Sequence, residues 1–81
     1  MKVVFYLYFD SKKSGKNAIS VLEKEKFNVI SFSILEFNGK KQWSLNVGKS
    51  VISEDEIEKM ERELEEICLN TGGEYDGYDS S

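Results

Sequence analysis

Phe27-Asn28-Val29-Ile30-Ser31-Phe32-Ser33-Ile34-Leu35-Glu36-Phe37-Asn38-Gly39-Lys40-Lys41-Gln42-Trp43-Ser44-Leu45-Asn46-Val47 is the stretch on which the fold turns. Its first arm alternates, with Ile30, Phe32 and Ile34 on one face and Ser31, Ser33 and Leu35 on the other. Asn38-Gly39 then supplies the two residues that tolerate positive φ in a tight hairpin turn. The return arm, Lys41–Val47, puts Lys41, Trp43, Leu45 and Val47 on one face and Gln42, Ser44 and Asn46 on the other. Two strands joined by so short a turn must be antiparallel neighbours.

Before the hairpin, Val3–Phe9 is aromatic and β-branched, which suits a central strand. Val3, Phe5, Leu7 and Phe9 share one face; Val4, Tyr6 and Tyr8 share the other. Residues 11–26 read as a helix opened by Asp10 or Ser11, with Gly15, Ala18, Ile19 and Leu22 on one side. After the hairpin, Ser53-Glu54-Asp55-Glu56 has the spacing of a capping box. The helix it opens aligns Ile57, Met60, Leu64, Ile67 and Cys68 on one face and ends at Gly72-Gly73. Glu74–Tyr78 predicts a short last strand, with residues 79–81 fraying. The order is βαββαβ, that of the α+β ferredoxin-like sandwich: a four-stranded antiparallel sheet with two helices on one face. The 81 residues form one domain in this reading.

Charge is unevenly distributed along the chain. The net value of −4 combines +5 over residues 1–50 with −9 over residues 51–81. An acidic protein of this kind is a poor general nucleic-acid binder, and its acidic half suits a basic protein partner. Within the second helix, Asp55, Lys59, Arg62 and Glu66 form a ridge of opposite charges at spacings of three and four. Glu54, Glu58, Glu61 and Glu65 form a separate flank with fewer basic neighbours, the candidate docking stripe; a merely solvated face is the plainer alternative. The lysines Lys12, Lys13, Lys16, Lys40 and Lys41 are expected to gather where the first helix begins near the hairpin turn. There they would either solubilise an edge or hold an anion. Tyr6 and Tyr8, beside Ser44 and Asn46 on the open face, offer stacking surface for RNA but lack surrounding positive charge.

Catalysis is disfavoured. Histidine is absent, which removes Ser-His and Cys-His nucleophile pairs and any His-containing metal site. Cys68, the sole cysteine, falls in phase with apolar residues and is expected to be a buried, inert thiol. Small acyl-phosphate hydrolases share this element order, but their arginine near the chain start has no counterpart; the one arginine is Arg62. Asp76 and Asp79 pair no better than carboxylates in any acidic tail. No cofactor or metal is expected. Val3–Phe9 is too short to span a bilayer, and no cleavage site follows it, so the expected setting is the cytoplasm without membrane attachment.

Gly72-Gly73-Glu74-Tyr75-Asp76-Gly77-Tyr78 resembles the closing motif of the ribonuclease E activity regulator B (RraB) family, Gly-Gly-x-Tyr-Asp-Gly-Trp, with Tyr78 in place of the tryptophan. Phe5-Tyr6-Leu7-Tyr8-Phe9-Asp10-Ser11 and the acidic helix after Ser53 are also similar to that family. The resemblance implies a short single-domain member with a ferredoxin-like fold. It implies a non-catalytic, cytoplasmic role: binding ribonuclease E, or another nuclease, and lowering its activity in mRNA decay. Partner contacts are then expected at Glu54, Glu58, Glu61, Glu65, Asp76 and Tyr78. An anion- or RNA-binding module and an immunity-type inhibitor of another basic enzyme are the alternatives. The uncovered sheet face also allows a homodimer. Tyr75 and Tyr78, three residues apart, would face opposite sides of an unbroken strand, and a bulge at Gly77 would bring them to the same side.

Overall fold

A computed structural model describes residues 1–80. The elements run β1 (Lys2–Phe9), α1 (Lys12–Lys24), β2 (Asn28–Phe37), β3 (Lys40–Ser50), α2 (Glu54–Thr71) and β4 (Gly73–Ser80). The strands lie in the order β2-β3-β1-β4 with every neighbouring pair antiparallel. This is the ferredoxin-like sandwich.

The alternation of β1 sets the layers. Val3, Phe5, Leu7 and Phe9 are all buried and meet Leu45 and Val47 of β3 under the helices. Ala18 and Leu22 of α1 and Ile57, Leu64 and Cys68 of α2 close the core from above. Phe5 is its aromatic hub, with ring centroids 5.9 Å from Phe27, 6.4 Å from Tyr75 and 6.2 Å from Tyr78.

The helix ends follow local chemistry. Ser11 is the N-cap of α1, its Oγ accepting from the Ser14 amide at 3.1 Å. At the other end Lys26 turns left-handed (φ 67°), and the Phe27 and Lys26 amides donate to the Leu22 and Glu23 carbonyls. That closed C-terminal turn ends α1 at Lys24, two residues before the predicted limit, and folds Phe27 back onto Leu22 in the core. Ser53 is the N-cap of α2 but makes no side-chain cap bond. Glu56 instead reaches the Ile52 amide at 2.8 Å, so the expected capping box is half formed and shifted by one residue.

Two bulges alter the predicted faces. Val29 pairs with Val47 and Ser31 with Asn46, leaving Ile30 as the extra residue of β2. Ile30 therefore leaves the face of Phe32 and Ile34 and lies over Gly48. On β4, Tyr75 pairs with Leu7 and Gly77 with Tyr6, leaving Asp76 as the extra residue. Asp79 and Ser80 are not frayed: they pair with Val4 and Val3 at the end of an eight-residue strand. Ser81 lies outside the described residues.

The hairpin turn is as expected, with Asn38 at φ 51° and Gly39 at φ 78°. β1 pairs β3 only from Trp43 onward, whereas β2 and β3 continue pairing to Phe37 and Lys40. The hairpin tip therefore overhangs the sheet.

Candidate functional site

Two neighbouring elements carry the residues singled out for partner binding. The solvent side of α2 holds Glu54, Glu58, Glu61 and Glu65, and β4 packs beside it. The four glutamates do not form an unpaired row. Arg62 Nη2 lies 3.5 Å from Glu58 Oε1, and both side chains are well exposed. Arg62 thus pairs toward the flank, and among the described residues this is the one ion pair. Its exposure makes it a weak bond, worth well under about 1 kcal/mol. Glu61 is also engaged: the Tyr75 hydroxyl donates to its Oε2 at 2.6 Å.

That hydrogen bond brings the acidic flank and the closing motif together. Tyr75 is half-buried against the core, and burial together with the Glu61 carboxylate raises its phenol pKa far above 10.0. Gly72 takes the left-handed conformation (φ 81°) that ends α2 and turns the chain into β4. Gly73 is needed for space: a Cβ there would sit 2.3 Å from the Phe9 ring. At Gly77, φ is 140°, a backbone state that side-chain-bearing residues rarely adopt. The resulting bulge puts Tyr75 and Tyr78 on the same side, both against Phe5. Asp76 is exposed, and Tyr78 is partly exposed at the strand's outer end.

The expected lysine cluster is only partly assembled. Lys12 Nζ stands 5.6 Å above the Trp43 ring, a cation–π contact that joins the start of α1 to β3. Lys40 and Lys41 lie on the overhanging tip, where Lys41 faces Glu36 across the hairpin. Lys13 and Lys16 are exposed on α1. Sequence reasoning missed a different grouping: Lys2, Lys26 and Lys49 border a shallow hollow with Val4, Ile30 and Gly48. Ile30, the extra residue of the β2 bulge, forms part of its lining, and no one-dimensional pattern announced that. Lys49 is itself occupied, donating to the Glu25 carbonyl at 2.9 Å and lying 4.4 Å over Phe27.

On the open face the Tyr6 hydroxyl donates to Asp79 Oδ2 at 2.8 Å, and that bond raises the Tyr6 pKa. Tyr8 stands opposite Glu74. Carboxylates thus edge both tyrosines, which opposes binding of a phosphate backbone. Cys68 is buried, and burial followed by Glu65 and Glu74 pushes its thiol up to about 11. Among the described residues no group of His, Cys, Asp or Glu is arranged to hold a metal ion. Among the described residues no helix is long and apolar enough to cross a membrane.

A family model described as regulator of ribonuclease activity B matches residues 1–80, essentially the whole chain. No curated protein matches the chain significantly. Among solved structures, an ACT domain protein from Streptococcus pneumoniae is similar with a TM-score of 0.69 and 15% identity, covering 99% of this chain and 89% of that one. A formyltetrahydrofolate deformylase from Pseudomonas putida KT2440 is similar with a TM-score of 0.65 and 8% identity, over 100% of this chain and 29% of the enzyme. A deformylase of the same name from Burkholderia mallei gives 0.55 and 11%, over 98% and 28%. At these identities the likeness is one of fold alone.

Proposed function

The chain belongs to the regulator of ribonuclease activity B family, and from that premise we propose that it is a non-catalytic cytoplasmic protein that binds a ribonuclease through the outer surface of α2 and the adjoining end of β4. The observation that carries this reading is the Tyr75–Glu61 hydrogen bond, which fixes the family motif against the acidic helix. Glu54, Glu58 and Glu65 then supply exposed negative charge on α2, and Asp76 and Tyr78 are exposed on the adjoining β4. A basic segment of the partner fits such a surface, with charge governing its capture rate and orientation. Ribonuclease E is the partner to test first, on the motif Gly72-Gly73-Glu74-Tyr75-Asp76-Gly77-Tyr78.

Binding of purified ribonuclease E, measured by calorimetry at low and moderate salt, tests the reading. Glu54→Lys, Glu58→Lys and Glu65→Lys together leave Glu61 and its tyrosine intact and should weaken binding about tenfold or more, roughly 1.4 kcal/mol. Added salt should narrow the gap between the two proteins. Equal binding by both at low salt would remove α2 as the interface. No binding by the unaltered chain, with capture of a different nuclease, would move the target while leaving the surface in place.

A further inference from the structure

The two edges of the sheet are built differently. β4 is protected: it carries Glu74, Asp76 and Asp79, and a bulge interrupts it at Asp76-Gly77. Charges and bulges on an edge strand discourage pairing with another chain. β2 has little of this. Its ten residues carry a single charge, Glu36, the sequence holds no proline, and the bulge at Ile30 leaves Ser31–Phe37 regular. The same segment exposes apolar side chains on both faces: Ile34 and Leu35 at 48% and Phe37 at 76%.

The turn determines which backbone groups of that edge are free. In a two-residue hairpin the flanking pair, Phe37 and Lys40, exchanges both hydrogen bonds, and bonded pairs alternate from there. Ser31, Ser33, Leu35 and Phe37 thus point their amides into β3, while Phe32, Ile34 and Glu36 point theirs outward. An antiparallel copy of β2 centred on Ile34 matches these outward groups to one another. It sets Ile34 against the second copy's Ile34 and Glu36 against the second copy's Phe32, so no like charges meet.

We propose that two copies of this chain pair through β2 in that register, forming a continuous eight-stranded antiparallel sheet. Two-fold self-complementarity selects a second copy as the occupant, and the protected β4 edge stops growth at two. The sheet face plays no part: its Tyr6 is already bonded to Asp79.

The test is sedimentation of the full chain across concentration, with amide hydrogen exchange read residue by residue. The expected result is a monomer–dimer equilibrium in which the Phe32, Ile34 and Glu36 amides become protected with concentration, while Ser33 and Leu35 are slow throughout. Ile34→Lys, an exposed position, should give a folded monomer by circular dichroism, and Tyr8→Lys on the open face should still dimerise. A chain that stays monomeric at every concentration overturns the proposal. So does a dimer whose outward β2 amides exchange freely and which Tyr8→Lys dissociates, or assembly that grows beyond two. Protection of those amides only when a ribonuclease is added would assign the edge to that partner and overturn pairing between copies.

Discussion

The hydroxyl of Tyr75 and the carboxylate of Glu61 are 2.6 Å apart, and this contact ties the last strand to the second helix. Its removal separates a structural role from a binding one. Tyr75→Phe keeps the ring against Phe5 and deletes only the hydrogen bond, so the expected loss is about 1 kcal/mol in a urea titration. Burial first, and the Glu61 hydrogen bond second, hold the folded-state pKa of Tyr75 above its unfolded value of 10.0, so the stability they contribute is present below that pH and is lost as pH rises through the folded value. The unaltered chain should therefore lose stability above about pH 10, and Tyr75→Phe should lose less over the same interval.

Cys68 titrates in a neighbouring window. Its thiol rises from 9.0 to about 11 in the folded chain, which makes its contribution present below pH 9.0 and lost between 9.0 and about 11. At pH 8 a thiol reagent should label it only at the rate of unfolding, since the thiolate is scarce and the sulfur is buried. Fast labelling of native protein would show that α2 lifts from the sheet more readily than its packing suggests.

Gly73 and Phe9 make a steric pair. Gly73→Ala places a methyl 2.3 Å from a ring carbon of a fully buried phenylalanine, and the expected cost is about 1–3 kcal/mol by thermal or chemical denaturation. Pairing it with Phe9→Leu should be less damaging than the sum of the two single changes, because the residues share one volume. Strict additivity would mean that Gly73 is required for its backbone alone.

Arg62 is the basic residue that meets the acidic flank. Arg62→Gln leaves Glu58 without its neighbour and should tighten binding of a basic ribonuclease segment by a few-fold at low salt. Stability should hardly move, because both partners are solvent-exposed. Weaker binding would instead place Arg62 itself in contact with the partner.

Most of the architecture was legible because it rests on short-range rules. Asn38-Gly39 needs positive φ at both positions, Ser11 has an amide three residues on to cap, and β1 alternates without interruption. What escaped reading depends on neighbours distant in sequence. Val29-Ile30 is an apolar pair in any frame, and only its register against Val47 and Asn46 makes Ile30 the extra residue. Asp79-Ser80 looks like a solvated tail until it is laid against Val4 and Val3. The flank of Glu54, Glu58, Glu61 and Glu65 was correctly placed on one helix, but its partners were not visible from helical spacing alone. Tyr75 reaches Glu61 across a strand–helix gap of fourteen positions. Arg62 reaches Glu58 as one of two equally spaced choices, since Glu66 is four residues the other way.

The extra residue in β4 also changes how substitutions along that strand must be read. Before Asp76 the odd-numbered position Tyr75 faces the helices; after Gly77 the even-numbered Tyr78 does. Parity reverses in mid-strand. A one-residue deletion at Asp76 would remove the bulge yet keep Tyr75, Gly77, Tyr78 and Asp79 opposite Leu7, Tyr6, Phe5 and Val4. A strand of unchanged length that ran straight through Asp76 would instead turn Tyr78 out and Asp79 inward, exchanging an aromatic for a carboxylate beside Phe5. The three-residue interval between the tyrosines therefore serves a shared face only while Gly77 holds the bulge open, so the glycine and the interval act as one unit.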